Sequence, residues 1–487
     1  MEESKGLLEP LLAGQPRSTR QQFAAPPAPP LGGDVEAAGG GGGGGGAAWA
    51  GARELIEEPP VQYVQSSLWD TTINLTNAIL GAGMLAMPRA FAGLGVLGGA
   101  VCVAAVGVLT HASIVLMLRP TERSRKLTYA AVMEHDWGRA AGIAVRLTII
   151  LGSAGFLVLY LIILADLLVG SAHYSGIIPD LWPGLTDPLP WYFRRTAVLT
   201  WATLCVAPAL APKTLGGVAP ISVLKVACTA MCVASLVVLC CALVAQGRLP
   251  AFNWLPQLSL FGDSWAERIQ NMLAIVPVLM TAFVCQMSVH PLVQDLRDYT
   301  PLRMRMAVAS SLLITGLIYA VMGAAGLMVF GEGVKGDVLT NMNIDDVTDI
   351  LWGNVPLAMG FVATVKVAMA LSLVLSFPIT LWPMRQDIIE TLSETLGTHQ
   401  QLTPAAYYSL TYISLLLIYL LAISISSAYQ MVGLIGSVTG TAMGFFFPGM
   451  LALRDPGGGW RLRALGWCLL AAGALLTVIG ITSMDED

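Results

Sequence analysis

Residues 74–88 read Asn74-Leu75-Thr76-Asn77-Ala78-Ile79-Leu80-Gly81-Ala82-Gly83-Met84-Leu85-Ala86-Met87-Pro88, an apolar run broken by amides, a hydroxyl and helix breakers. Gly81 and Gly83 permit backbone dihedrals that unwind a helix, and Pro88 suits the first turn of a second one. An interruption of this kind leaves amide N–H groups at the positive end of the second half-helix, where they hold carboxylates. Asn74, Thr76 and Asn77 add side-chain oxygens one turn earlier. Close helix packing over Gly-x-Gly would also account for the glycines, but two amides in an apolar run favour a site. Gly81, Ala82, Gly83 and Asn74 are its candidate ligand-binding positions.

A second stretch, Thr281-Ala282-Phe283-Val284-Cys285-Gln286-Met287-Ser288-Val289-His290-Pro291, has the same character. Pro277 and Pro291 are expected to break its backbone ladder, and Phe283, Cys285 and Gln286 are expected to face the ligand. A Pro-kinked helix with satisfied polar groups is the plainer alternative. His290 lies near one end, where water is expected to reach it. A third stretch carries Ser372 and Ser376, spaced i, i+4, just before Pro378. Their hydroxyls and freed carbonyls from the first break could hold a small hard cation such as Na⁺, although bonding back to the i−4 carbonyl explains them equally well.

These stretches must sit in membrane-spanning helices. Of 487 residues, 55% are hydrophobic and only 12% charged, with a mean hydropathy of +0.69. A soluble chain carries about 25% charged residues, so lipid must solvate much of this one. A helix that crosses the hydrocarbon core needs roughly 20 apolar residues. That rule predicts an all-α polytopic protein with eleven spans, at about 68–91, 94–118, 141–170, 193–211, 217–244, 270–294, 306–330, 357–382, 405–426, 430–452 and 463–482. The intramembrane charges have plain explanations. Lys225 can snorkel, Lys366 and Asp166 can pair or face a vestibule, and Arg89 follows the first break toward an outer vestibule.

With the N-terminus cytosolic, inside segments hold 17 Lys and Arg and outside segments 5, a bias that orients the chain. Residues 1–60, rich in Gly and Pro, read as a disordered cytosolic tail, and residues 61–487 as the membrane domain. The tail has no early apolar run of the signal-peptide type. Glu3-Ser4-Lys5-Gly6-Leu7-Leu8 resembles an acidic dileucine sorting signal. All eight cysteines fall inside apolar runs, so no disulfide framework is expected. No basic surface suggests nucleic acid, and no His-Glu-x-x-His, Gly-x-Ser-x-Gly or paired intramembrane aspartates suggest an enzyme. The expected partners are membrane lipid and a small-molecule ligand, on a monomer with no bound cofactor.

Residues 74–85 resemble the first-helix signature of the amino acid/auxin permease family, and specifically its sodium-coupled neutral amino acid and vacuolar amino acid transporters. Residues 282–291, 329–339 (Val329-Phe330-Gly331-Glu332-Gly333-Val334-Lys335-Gly336-Asp337-Val338-Leu339) and 433–441 (Gly433-Leu434-Ile435-Gly436-Ser437-Val438-Thr439-Gly440-Thr441) agree with it in order. The resemblance runs from about residue 69 to 481. It implies a LeuT-type fold in which helices 1–5 and 6–10 are inverted repeats. It also implies secondary transport of small neutral amino acids across a plasma, vacuolar or endolysosomal membrane, coupled to Na⁺ or H⁺. Asn77 and Ser376 would help bind Na⁺, with Ser372 beside them. The family often has His after the sixth-helix Cys, whereas Gln286 follows Cys285 here, which opens the choice of ion. In some related folds a fifth-helix Lys stands where Na⁺ would sit, the position Lys225 could take. An amino-acid sensor on the same fold is the alternative function.

Overall fold

The computed structural model describes residues 66–171, 174–181, 190–211, 218–396, 403–425 and 427–482. The expected tail and its dileucine pattern lie outside the described residues. Among those described, nine helices are long and apolar enough to cross a membrane, and Arg195–Leu210 is a shorter apolar one. One of the nine, Ala82–Ser124, contains two spans. Gly95 bends it at φ 69°, and a Cβ there would fall 2.7 Å from the Leu255 carbonyl oxygen, so only glycine fits. The amides of Val96 and Leu97 then donate to the carbonyls of Asn253 and Trp254. With that bend and the short helix counted, the eleven expected spans are present.

Span one begins at Leu68–Ile79 under a capping box, in which Ser67 Oγ accepts the Asp70 amide and Asp70 accepts the Ser67 amide. It resumes as a 3₁₀ turn, Ala82–Ala86, and continues from Met87. Span three is Arg139–Val169, span four Arg195–Val206 with a 3₁₀ end, and span five Val218–Gln246. Span six is split into Trp265–Phe283 and Gln286–Asp295. Span seven is Pro301–Phe330, and span eight runs Val355–Leu396, 14 residues beyond its expected apolar end. That extension carries Arg385, Asp387, Glu390 and Glu394, so it is a charged helix continuing past the lipid. Span nine is Pro404–Ser424 and span eleven Trp460–Thr482. Span ten begins at Ala428–Ile435, passes through two π-helical turns, Gly436–Gly440 and Ala442–Phe446, and ends at Arg454. Successive spans alternate in direction, so each connecting loop lies on the near face, where span one enters, or on the opposite, far face.

The buried core is a set of seams between these helices. Span seven packs along span two and both halves of span one; span eight packs between spans three and five. Span ten presses so closely on span six that a Cβ at Gly436 would lie 1.8 Å from the Pro277 carbonyl oxygen. Without a hydrophobic drive between helices in lipid, small residues at such crossings are what permit the contact.

Candidate functional site

Span one breaks where expected, for a partly different reason. The first half ends at Ile79, and Leu80 and Gly81 (φ −153°, ψ −161°) are extended. Gly81 is therefore not in the left-handed region. Gly83 lies inside the 3₁₀ turn, and a Cβ on it would meet Ala282 Cα at 2.9 Å. The close-packing explanation thus holds for Gly83 and the unwinding explanation for residues 80–81. The first intrahelical bond of the turn runs from the Met84 amide to the Gly81 carbonyl at 3.2 Å. The amides of Ala82 and Gly83 precede it and have no acceptor within the turn. Pro88 stands in the first turn of the α-helix that follows.

Span six breaks at Val284–Cys285, not at a proline: Pro277 and Pro291 lie within its two halves. Neighbouring helices re-satisfy the groups that proline frees, so intramembrane proline need not end a helix. The break is held by side chains. Gln286 Oε1 accepts the Cys285 amide at 3.1 Å, while Gln286 Nε2 donates to Ser113 Oγ of span two at 3.1 Å. Both ends of Gln286 are thereby engaged. Phe283 is fully buried, edge-on to Tyr319 with ring centroids 5.1 Å apart, and Cys285 is buried beside the break.

Tyr319 of span seven joins the two breaks. Its hydroxyl lies 2.9 Å from the Ile79 carbonyl oxygen and 2.8 Å from that of Ala282. Both belong to the last turn of a half-helix, where carbonyls lack intrahelical donors. Tyr160 of span three approaches from the other side, its hydroxyl 3.9 Å from where a Gly81 Cβ would stand. Neither tyrosine was singled out from the sequence. A lone phenol in an apolar helix must find a polar partner, which is the signal each offered.

Two of the residues proposed for a cation, Asn77 and Ser372, touch span five. Lys225 Nζ donates to the Asn77 carbonyl oxygen at 3.4 Å, and one turn on, Thr229 Oγ1 lies 3.3 Å from Ser372 Oγ. Ser376 Oγ donates back to the Ser372 carbonyl at 2.7 Å, as the plainer reading had it. Asn77 Oδ1 is buried with no hydrogen-bond partner. Lys225 is 6% exposed and does not snorkel. The oxygens suit a small cation, but an ammonium already sits on the carbonyl that would coordinate it.

The other expected residues lie apart. Asn74 is exposed and does not reach the break, and Thr76 Oγ1 donates to the Thr72 carbonyl. His290 is 3% exposed, not wetted; its Nε2 lies 3.1 Å from Thr121 Oγ1 and its ring stacks on Tyr129. Lys366 pairs with Asp180 at 3.0 Å, and Asp166 pairs with Arg195. Arg89 is exposed and lines a cavity of about 520 Å³ with Gly93, Asn271, Glu332, Tyr429 and Ser437. This cavity is a vestibule on the far-face side of the break and does not include it.

The family model described as transmembrane amino acid transporter protein matches residues 64–484. The chain belongs to that family. This transporter is 28% identical over 425 residues to amino acid transporter AVT6E of Arabidopsis thaliana, covering 85% of this chain and 82% of the relative. It is 22% identical to vacuolar amino acid transporter 5 of Schizosaccharomyces pombe, over 80% of this chain and 84% of that one. Among solved structures it resembles Mhp1, a nucleobase-cation-symport transporter, in a closed conformation, with a TM-score of 0.52 and 14% identity over 86% and 91% of the two chains. That likeness shows the fold, which is LeuT-type. The transporter is a multi-pass membrane protein for amino acids and not an enzyme.

Proposed function

We propose that this transporter moves small neutral amino acids by alternating access, with the substrate carboxylate on the amides of Ala82 and Gly83 and a proton on Lys225 as the coupled ion. The observation that carries the reading is the pair of facing breaks at residues 80–81 and 284–285, bridged by Tyr319. Unwound backbone inside a membrane persists where it lines a site. Residues 78–87 and 280–289 contain no charged side chain. A charged substrate side chain would be desolvated there without a partner, at a cost of several kcal/mol. The contact of Gly83 with Ala282 leaves little width, which favours small substrates.

The choice of ion follows from Lys225. Two unit charges about 4 Å apart repel by about 4 kcal/mol at an effective dielectric near 20. A charged Lys225 on the Asn77 carbonyl therefore opposes Na⁺ at the same oxygen, and loss of its proton would free that oxygen. The bias of Lys and Arg toward the near face supports a cytosolic tail. The name of the fission-yeast relative supports a vacuolar or endolysosomal membrane.

The test is uptake of labelled L-alanine and an amino-acid panel into proteoliposomes, with Na⁺ and pH varied independently. Accumulation under a proton gradient without Na⁺ is expected. Lys225→Met should abolish accumulation while leaving exchange of internal for external substrate. Absence of uptake of every L-amino acid under either gradient sinks the transport mechanism. Strict Na⁺ dependence with no effect of pH sinks only the assignment to Lys225.

A further inference from the structure

On the far face, the connection from span seven to span eight turns back into the molecule. Its 3₁₀ turn, Val338–Asn341, packs against Ala82–Ala86 of span one, against span three, and against the short strand Tyr174–Ser175. Val338, Leu339 and Met342 are fully buried, and Val338 sits beside Pro88 over Gly326 of span seven. The connection is thus a plug over the second half of span one. Arg89 helps to hold it through the Val334 carbonyl.

Five charged side chains among the described residues meet at the plug. Asp166 of span three pairs with Arg195 of span four, and Asp180 of the span three–four connection pairs with Lys366 of span eight. Asp337, at the start of the plug's 3₁₀ turn, is the odd one. Its Oδ1 accepts the Leu339 amide at 2.9 Å, whereas its Oδ2 is buried without a hydrogen-bond partner. The residue is 6% exposed. The charged or titratable groups that act on it are Asp166, Lys366 and, from span five, the Cys232 thiol. Span seven and Ala82–Ala86 contribute no charge there. On its own connection, Glu332 is exposed and accepts from Asn253, and Lys335 makes its own contacts. Among the described residues, two acid–base pairs and one extra carboxylate carry one more negative charge than positive, and a buried carboxylate in that position takes up a proton.

We propose that Asp337 is a proton-binding site on the far face and that its protonation holds the 331–343 plug closed over span one. Burial, reinforced by Asp166, pushes its carboxyl up to about 7 against the opposing pull of the Leu339 amide and Lys366. An open, hydrated plug would return it to about 4. The closed form therefore binds the proton more tightly. Closure is fully supported in acid and weakens as pH rises through about 7. Between pH 5.5 and 8 the closed-to-open ratio should fall roughly 30-fold. An acidic compartment on the far face would keep the plug shut until another event opens it. The word closure rests on the transporter reading, but the readout below needs no transport.

The experiment measures access to Leu339→Cys with a charged methanethiosulfonate reagent, in nanodiscs, from pH 5.5 to 8. Rates are normalised to Asp345→Cys, which is exposed on the same connection, and to the parent protein. Normalised modification at position 339 should rise steeply with pH, by up to the 30-fold above. Asp337→Asn, which keeps the shape and the amide contact, should stay slow at every pH. Lys366→Gln should move the midpoint upward. A flat wild-type profile, or the same slope in Asp337→Asn, overturns the proposal.

Discussion

Replacing Tyr319 by Phe removes one oxygen and leaves the ring, with its edge contact to Phe283, in place. The lost hydroxyl lies 2.9 and 2.8 Å from the carbonyls that end the first halves of spans one and six. A phenol has one proton, so it supplies one bond shared between two acceptors, both deep in the protein. Removing one partner from a buried pair costs about 1–3 kcal/mol, because the remaining group keeps its desolvation penalty. If that energy is withdrawn from the substrate-bound state, where the two breaks must be held at one spacing, affinity should fall roughly 5- to 150-fold. Equilibrium binding of labelled L-alanine to the purified protein measures this directly, with a thermal-shift assay alongside. Tyr319→Leu should lose more, since it also removes the ring. Wild-type affinity and melting in Tyr319→Phe would refute the idea that this hydroxyl sets the geometry of the site.

Two further outcomes follow from the breaks. Gly83→Ala puts a methyl 2.9 Å from Ala282 Cα; overpacking of this kind costs about 1–3 kcal/mol, and uptake should fall sharply at normal expression. Adding Ala282→Gly should not restore it, because the clashing atom is the Cα; full rescue would show the contact to be softer than drawn. Gln286→Leu leaves the Cys285 amide and Ser113 without their partner, so thermal stability should drop by about 1–3 kcal/mol. The ion dependence of uptake should not change, and a switch in ion would return Gln286 to the coupling machinery.

The eleven spans were legible because twenty apolar residues in a row have few other uses, and even the division at Gly95 fell within a residue or two of its place. The break in span one was legible because glycine marks it. The break in span six was not: Val284 and Cys285 are ordinary residues, and their non-helical backbone is held by Gln286 and by Tyr319, 34 positions on from Cys285. The prolines misled for a related reason, since neighbouring helices can repair what proline removes. Asn77 and Ser372 both neighbour span five, through Lys225 and Thr229, and the contact with Asn77 depends on where the Lys225 side chain ends. No pattern in sequence reports that. Asp337 was hidden among five acidic residues between positions 331 and 356. Only the folded plug separates it from the exposed ones.

At the near face, Ser66 forms a parallel bridge with Leu296: its amide donates to the Asp295 carbonyl, and its carbonyl accepts the Arg297 amide. The entry of span one and the exit of span six are thereby fastened like two leaves on one hinge pin. Neither half-helix can swing out alone without breaking two backbone hydrogen bonds, about 1 kcal/mol each. A pull on the chain ahead of Ser66 would reach both leaves together, so the segment leading into the membrane is mechanically geared to the door at its base.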